Sequence, residues 1–316
     1  MAKSTREAYG EALAELGKTN ERIVVMDADL SGSTKTSTFK KAFPDRFYDF
    51  GIAEANMIDA AAGFAFSGYI PFASTFAMFG TGRAYEQIRN SVAYAKANVK
   101  LAFTHAGLSV GEDGGSHQAL EDISLMRGIP GMTVFVPCDA EEAKKAVAAA
   151  VEIDGPVYLR LSRPNTDAVT DADTPFIPGK ANVIRDGSDA AIFATGLMVT
   201  RAIKAAELLE AEGISAAVVN FHTIKPLDKE TILAYNGKVK AIVTAEEHFV
   251  TGGLGSAVAE VLAGHAGAGF DRVGVEERFG QSGKPDALFE EYGLTSENIA
   301  AKVKALLYGT DRHPDI

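Results

Sequence analysis

Asp49-Phe50-Gly51-Ile52-Ala53-Glu54-Ala55-Asn56-Met57 marks the passage from a strand into a helix. The pattern predicts a strand over 46–50, a turn at Gly51 and a helix opening at about Glu54. That helix would carry Ala55, Met57, Ile58, Ala60, Ala61, Ala62, Phe64, Ala65 and Phe66. It is apolar on almost every face, so it is expected to be buried rather than merely amphipathic. From Ala60 to Gly82 no side chain bears a charge. A carboxylate entering such a setting is held against its solvation preference, which raises its pKa and makes it a candidate proton donor or acceptor. Glu54 is that carboxylate. The bland alternative is a solvated first-turn glutamate stabilised by the helix dipole; the apolar helix weakens that reading and leaves it open.

Outward from this junction, helix and strand alternate. Helices are expected over 5–16, 54–67, 82–96, 119–126 and 140–151, and strands over 23–26, 70–75, 99–104, 133–135 and 157–161. Between Pro164 and Gly179 the periodicity stops and Asp, Thr and Pro accumulate. The alternation then resumes, with strands over 190–194, 216–219 and 240–244 and helices over 199–212, 229–235 and 255–264. Strands alternating with helices imply mainly parallel sheets with both faces covered. The fold expected is therefore α/β with two domains, 1–165 and 181–316, joined by a linker over 166–180.

Composition narrows the function. A length of 316 residues suits two domains, and a net charge of −11 disfavours a polyanion-binding protein while leaving local phosphate sites possible. Cys138 stands alone, which excludes a disulfide framework and a thiolate metal cluster. The first residues lack the apolar core of a signal peptide. The uncharged stretch 60–82 raises the question of a membrane span, but Gly68, Pro71 and the Ser/Thr pairs break it into helix, turn and strand. A cytoplasmic, soluble chain is expected.

In open parallel sheets, ligands bind beyond the C-terminal ends of strands. Glu54, Phe76 and His105 each follow such an end. Ser74-Thr75-Phe76-Ala77-Met78-Phe79 offers two aromatics, which taken alone read more readily as core packing than as a cofactor pocket. Thr104–Gln118 places His105, His117 and Asp113 on a glycine-rich loop suited to close ligand approach. A metal site there is disfavoured because no further His or Cys completes a ligand set. Leu161-Ser162-Arg163-Pro164-Asn165 sets a guanidinium at another strand end, where bidentate phosphate binding competes with a solvated surface role.

Taken together, the segments Gly51–Met57, Ser74–Phe79, Thr104–Gln118 and Leu161–Asn165 resemble, in order and spacing, the pyrimidine-binding and C-terminal domains of transketolases. The resemblance spans essentially the whole chain. It implies thiamine diphosphate chemistry, in which the glutamate matching Glu54 hydrogen-bonds the cofactor's pyrimidine nitrogen and helps its amino group take up the thiazolium proton. It implies that Phe79 stacks on the pyrimidine with Phe76 beside it. His117 would contact the hydroxyl at the reacting end of the sugar, and Asp113 a neighbouring hydroxyl. Arg6, Ser33, His105 and Arg163 match the family's donors to a sugar phosphate.

The chain departs from the family pattern in two places. Gly82 stands where many transketolases carry an aromatic. The Gly-Asp-Gly…Asn motif that holds the diphosphate and its divalent metal is absent, since Gly111-Glu112-Asp113-Gly114 lies in the substrate loop. The expectation is therefore the second subunit of a split transketolase, inactive alone. Mg or Ca would be held mainly by a separate diphosphate-binding subunit, and two copies of each chain would form a heterotetramer. The alternatives are a beta-type subunit of another thiamine diphosphate enzyme, either deoxyxylulose-phosphate-synthase-like or a 2-oxo acid dehydrogenase decarboxylase, and a non-catalytic scaffold derived from this fold. Thr251-Gly252-Gly253-Leu254-Gly255-Ser256 is an incomplete dinucleotide fingerprint, and it is expected, like Glu246, Glu247 and His248, to be structural.

Overall fold

Ile23–Asp27 and Ile70–Ser74 are buried at every residue, as continuous apolar strands covered on both faces must be. In the computed structural model, which describes residues 2–309, they are neighbours in a seven-stranded sheet. Its order is Thr223–Lys225, Thr133–Phe135, Val157–Arg160, Lys100–Phe103, Ile70–Ser74, Ile23–Asp27 and Phe47–Asp49. All neighbours run parallel except the first pair. A five-stranded sheet follows the order Gly269–Val275, Ala241–Phe249, Ala190–Ala194, Ala216–Asn220 and Asn182–Arg185. Only its last pair is antiparallel. The architecture is the expected α/β pair of mainly parallel sheets flanked by helices.

One strand crosses the expected division between the halves. Thr223–Lys225 belongs to the second half by sequence, yet it pairs antiparallel with Thr133–Phe135 at the edge of the first sheet. Nor does the connecting segment hang loose. The Asp139 carboxylate accepts from Val169 N at 2.7 Å, Thr170 N at 2.6 Å and Thr170 Oγ1 at 2.9 Å, which pins it to the first domain. Residues 310–316 of the expected second domain, and Met1, lie outside the described residues.

The stretch read as uncharged resolves into helix Glu54–Phe66, a turn at Gly68 and strand Ile70–Ser74. Among the described residues, no helix is long and apolar enough to cross a membrane. The helix expected over 82–96 is a different object. Two π-helical stretches, Met78–Arg83 and Ile88–Tyr94, flank a short α-helical turn at Tyr85–Gln87. This element packs so tightly on strand Lys100–Phe103 that a Cβ on Gly80 would fall 2.2 Å from the Phe103 ring. Wide turns of this kind recur at functional sites. Here they place Phe79 and Arg83.

Candidate active site

Glu54 is aimed by the strand-to-helix junction itself. Gly51 takes φ +65°, a conformation that favours glycine, and no side chain caps the helix it precedes. Glu54 is 1% exposed. Its surroundings are not uncharged, which corrects the expectation drawn from the sequence. Arg83, the residue just beyond the uncharged stretch, returns to place Nη1 at 3.0 Å from both Glu54 oxygens. Sheet topology brings the two together across 29 positions of chain.

The same guanidinium lies 4.8 Å from the centre of the Phe79 ring. Phe79 stacks with Phe76 at 5.8 Å, and Phe76 stacks with the His105 imidazole at 3.9 Å. His117 meets Phe79 edge-on at 5.1 Å and Phe76 at 6.4 Å. Phe76 is buried and backs the cluster, whereas Phe79 keeps part of its surface open. The aromatic pair thus joins the carboxylate to both histidines.

Beyond His105 the site becomes cationic. Ser4 and Glu7 form a capping box that fixes the first turn of helix Thr5–Leu16, and with it Arg6. Arg6 Nη1 donates to the Ser33 backbone carbonyl at 2.9 Å and meets His105 Nε2 at 3.3 Å. A guanidinium only donates, so Nε2 is the acceptor and the ring proton sits on Nδ1, 2.7 Å from Thr104 Oγ1. Burial, then the charges of Arg6 and Arg163, push the His105 pKa down to about 3. His105 is therefore neutral across the physiological range. Arg6 Nε is buried and has no hydrogen-bond partner. Arg163 donates to the Val110 carbonyl and lies 3.6 Å from Asp113 and 3.9 Å from Glu112.

The loop carrying His117 and Asp113 is anchored from the second domain. Gly107, at φ +81°, admits the Glu247 side chain to within 2.3 Å of where a Cβ would stand. Glu247 Oε1 accepts from Ser109 N at 2.6 Å. Glu246 accepts from Leu254 N and Gly255 N at 2.7 and 2.8 Å, which closes the glycine-rich helix start to an external phosphate. His248 Nε2 accepts from Ser124 N at 3.3 Å, and its Nδ1 donates to the Phe249 carbonyl at 2.7 Å. Among the described residues, no group of three or more His, Cys, Asp or Glu could hold a metal ion.

The structure thus links Arg6, Ser33, His105, Phe76, Phe79 and His117 in one run of contacts, and Glu54 joins it through Arg83. Arg163 and Asp113 pair beside it. Ser33 enters through its carbonyl rather than its hydroxyl. Sequence reasoning missed Arg83 and Thr104. The available signal for Arg83 was its place four residues after Phe79, one helical turn away.

A carboxylate, an aromatic stack and a cation cluster at the strand ends of a two-domain α/β fold define an enzyme-type site. Residues 1–168 match the family model for the transketolase pyrimidine-binding domain, and residues 179–299 that for the transketolase C-terminal domain. The chain belongs to the transketolase family. A Methanocaldococcus jannaschii protein, provisionally described as a transketolase C-terminal section, is 49% identical over 304 residues, covering 95% of each chain. A 6-deoxy-6-sulfo-D-fructose transketolase subunit of Clostridium is 44% identical over 93% of this chain and 91% of its own. Human transketolase is 40% identical over 96% of this chain, which spans only 49% of the human protein. Among solved structures, a split-gene transketolase described as an inactive β4 tetramer superposes with a TM-score of 0.90 at 53% identity, covering 96% of this chain and 98% of that one.

Proposed function

We propose that this chain is one subunit of a cytoplasmic, thiamine-diphosphate-dependent transketolase that moves a two-carbon ketol unit from a ketose phosphate to an aldose phosphate. It works only with a separate subunit that binds the diphosphate and its Mg or Ca, in an assembly of two copies of each chain. The observation that carries this reading is the convergence of Glu54 and Phe79 on one point: the Arg83 guanidinium lies 3.0 Å from the carboxylate and 4.8 Å from the centre of the Phe79 ring. A buried carboxylate beside an aromatic ring fits a planar ring that donates hydrogen bonds at its edge, as an aminopyrimidine does.

Thiamine diphosphate, when bound, supplies the carbon nucleophile and electron sink that amino-acid side chains lack. Glu54 holds the proton at the pyrimidine nitrogen, and Phe79, backed by Phe76, orients the ring. His117 addresses the hydroxyl at the reacting end of the sugar, and Asp113 the next one. Arg6 and Arg163 take the anionic end, with Ser33 and His105 holding Arg6 in place, and the unpartnered Arg6 Nε supports an anion there. Neutral His105 spends its Nδ1 proton on Thr104 and its Nε2 lone pair on Arg6, so the positive charge comes from the two arginines. Ile52, just before the Glu54 helix, and Phe66, its last residue, are 79% and 64% exposed, which supports an interface with other subunits.

The test is reconstitution. The chain, mixed with a diphosphate-binding partner and thiamine diphosphate, is given xylulose 5-phosphate and ribose 5-phosphate. Formation of a seven-carbon sugar phosphate is expected. Decarboxylation of pyruvate instead would transfer the chain to another thiamine enzyme. A sulfonate-ended ketose belongs in the same assay, because the arginine pair recognises either anion.

A further inference from the structure

The geometry points to Arg83 as a placeholder in the cofactor seat. Its guanidinium engages Glu54 and Phe79 together, and it must withdraw from both before a pyrimidine ring can bind. This inference rests on the thiamine diphosphate reading above. Glu54 is 2% exposed in its side chain, and a buried carboxylate without a partner is strongly unfavourable. A guanidinium suits the space between carboxylate and ring because it is flat, cationic and rich in edge donors. In those respects it imitates an aminopyrimidine.

The hold is of a releasable kind. One nitrogen, Nη1, bridges both Glu54 oxygens at 3.0 Å, in place of the two parallel bonds that make a strong arginine–carboxylate fork. The Arg83 side chain is 53% exposed, so on release its charge returns to water along a path already open. Arg83 also ends the π-helical stretch Met78–Arg83 rather than lying inside a sealed helix. Two consequences follow from the competition. The chain without cofactor keeps Glu54 neutralised. The apparent cofactor affinity is lowered by the fraction of molecules in which Arg83 holds the seat.

The test uses Arg83→Met, which keeps length and loses charge, and Arg83→Lys, which keeps charge and loses the flat fork. In the complex with the partner subunit, thiamine diphosphate uptake is followed by near-ultraviolet circular dichroism. Arg83→Met is expected to take up cofactor about 3- to 10-fold faster and more tightly than wild type, with Arg83→Lys between them. The isolated Arg83→Met chain should unfold about 2–4 °C below wild type. That difference should vanish in the cofactor-loaded complex, where Arg83 has already left Glu54. Slower or weaker uptake, or an equal thermal loss with and without cofactor, would make Arg83 a permanent strut and overturn the inference alone. A wild-type complex that takes up no thiamine diphosphate would instead overturn the functional reading, and the placeholder with it.

Discussion

Asp122 and Arg160 form a buried, two-point ion pair that ties the start of helix Asp122–Gly128 to both domains. Asp122 Oδ2 accepts from Arg160 Nε at 2.7 Å, and Oδ1 accepts from Nη2 at 3.2 Å. Tyr158 donates its hydroxyl to the same Oδ2 at 2.6 Å, and Arg160 Nη2 reaches the Glu247 carbonyl at 2.9 Å. Asp122→Ala strands a buried guanidinium and a buried phenol. It is expected to cost about 3–5 kcal/mol in urea unfolding. A triple replacement, Asp122→Leu with Tyr158→Phe and Arg160→Met, should lose less than the single change because both buried charges leave together and only the Glu247 and Ala119 carbonyls lose a donor. A single-mutant loss below about 1 kcal/mol would mean that water reaches the pair.

Glu54→Ala should lower turnover of the reconstituted complex by about 100-fold or more, the scale of a lost proton-transfer group. Its ion partner Arg83 is half exposed and rehydrates, so the far-ultraviolet circular dichroism of the variant should match wild type. Near-normal turnover would remove Glu54 from the chemistry.

Arg6→Ala and Arg163→Ala should act on substrate binding. Losing a charge-assisted hydrogen bond worth about 1.5–3 kcal/mol raises KM for a sugar phosphate roughly 10- to 150-fold. With a ketose lacking the phosphate, the same variants should change KM less than about threefold, because the interaction is not made there. Equal effects on both substrates would mean that the arginines organise the loop rather than read the anion.

Acid should destabilise the chain through its buried histidines. His105 is pushed down to about 3 and His222 to about 4, in both cases chiefly by burial, from an ordinary value of 6.5. Between about pH 6.5 and 4 the unfolded chain binds protons that the folded chain refuses, so stability rises with pH there and is lost as pH falls. His222 lies outside the candidate site, stacked on Phe176 at 4.1 Å with Nε2 unpartnered. Asp27 opposes the trend, since burial raises it to about 6 and its contribution is lost as pH rises from about 4 to 6. The informative measurement is therefore a difference. His222→Phe should flatten the dependence of Tm on pH over this window, removing on the order of 3 kcal/mol of acid sensitivity. Parallel curves for variant and wild type would contradict the assignment.

The alternation of helix and strand was legible because buried parallel strands and their covering helices leave unlike periodicities, as at Ile23–Asp27 and Thr5–Leu16. Thr223–Lys225 escaped because three residues are too few to show a period, and Gly269–Val275 because this edge strand is only partly buried and needs no continuous apolar run. The helices Pro285–Glu291 and Ser296–Tyr308 also lay beyond what the periodicity was read to show. The π-helical stretch Met78–Arg83 was illegible for another reason: Gly80 packs against Phe103, a contact between residues 23 positions apart that local propensity does not encode.

Sequence alone determined which chemical groups stand at the strand ends, because a parallel sheet sends every such loop to the same side. Glu54, Phe76 and His105 were placed that way. Only the tertiary structure decided what each group touches. Arg83 reaches Glu54 across the fold, Arg6 imposes the tautomer of His105, and Asp122 locks Arg160 to the second domain. Pairing of this kind depends on distance in space, and folding brings together charges that a one-dimensional reading leaves tens of residues apart.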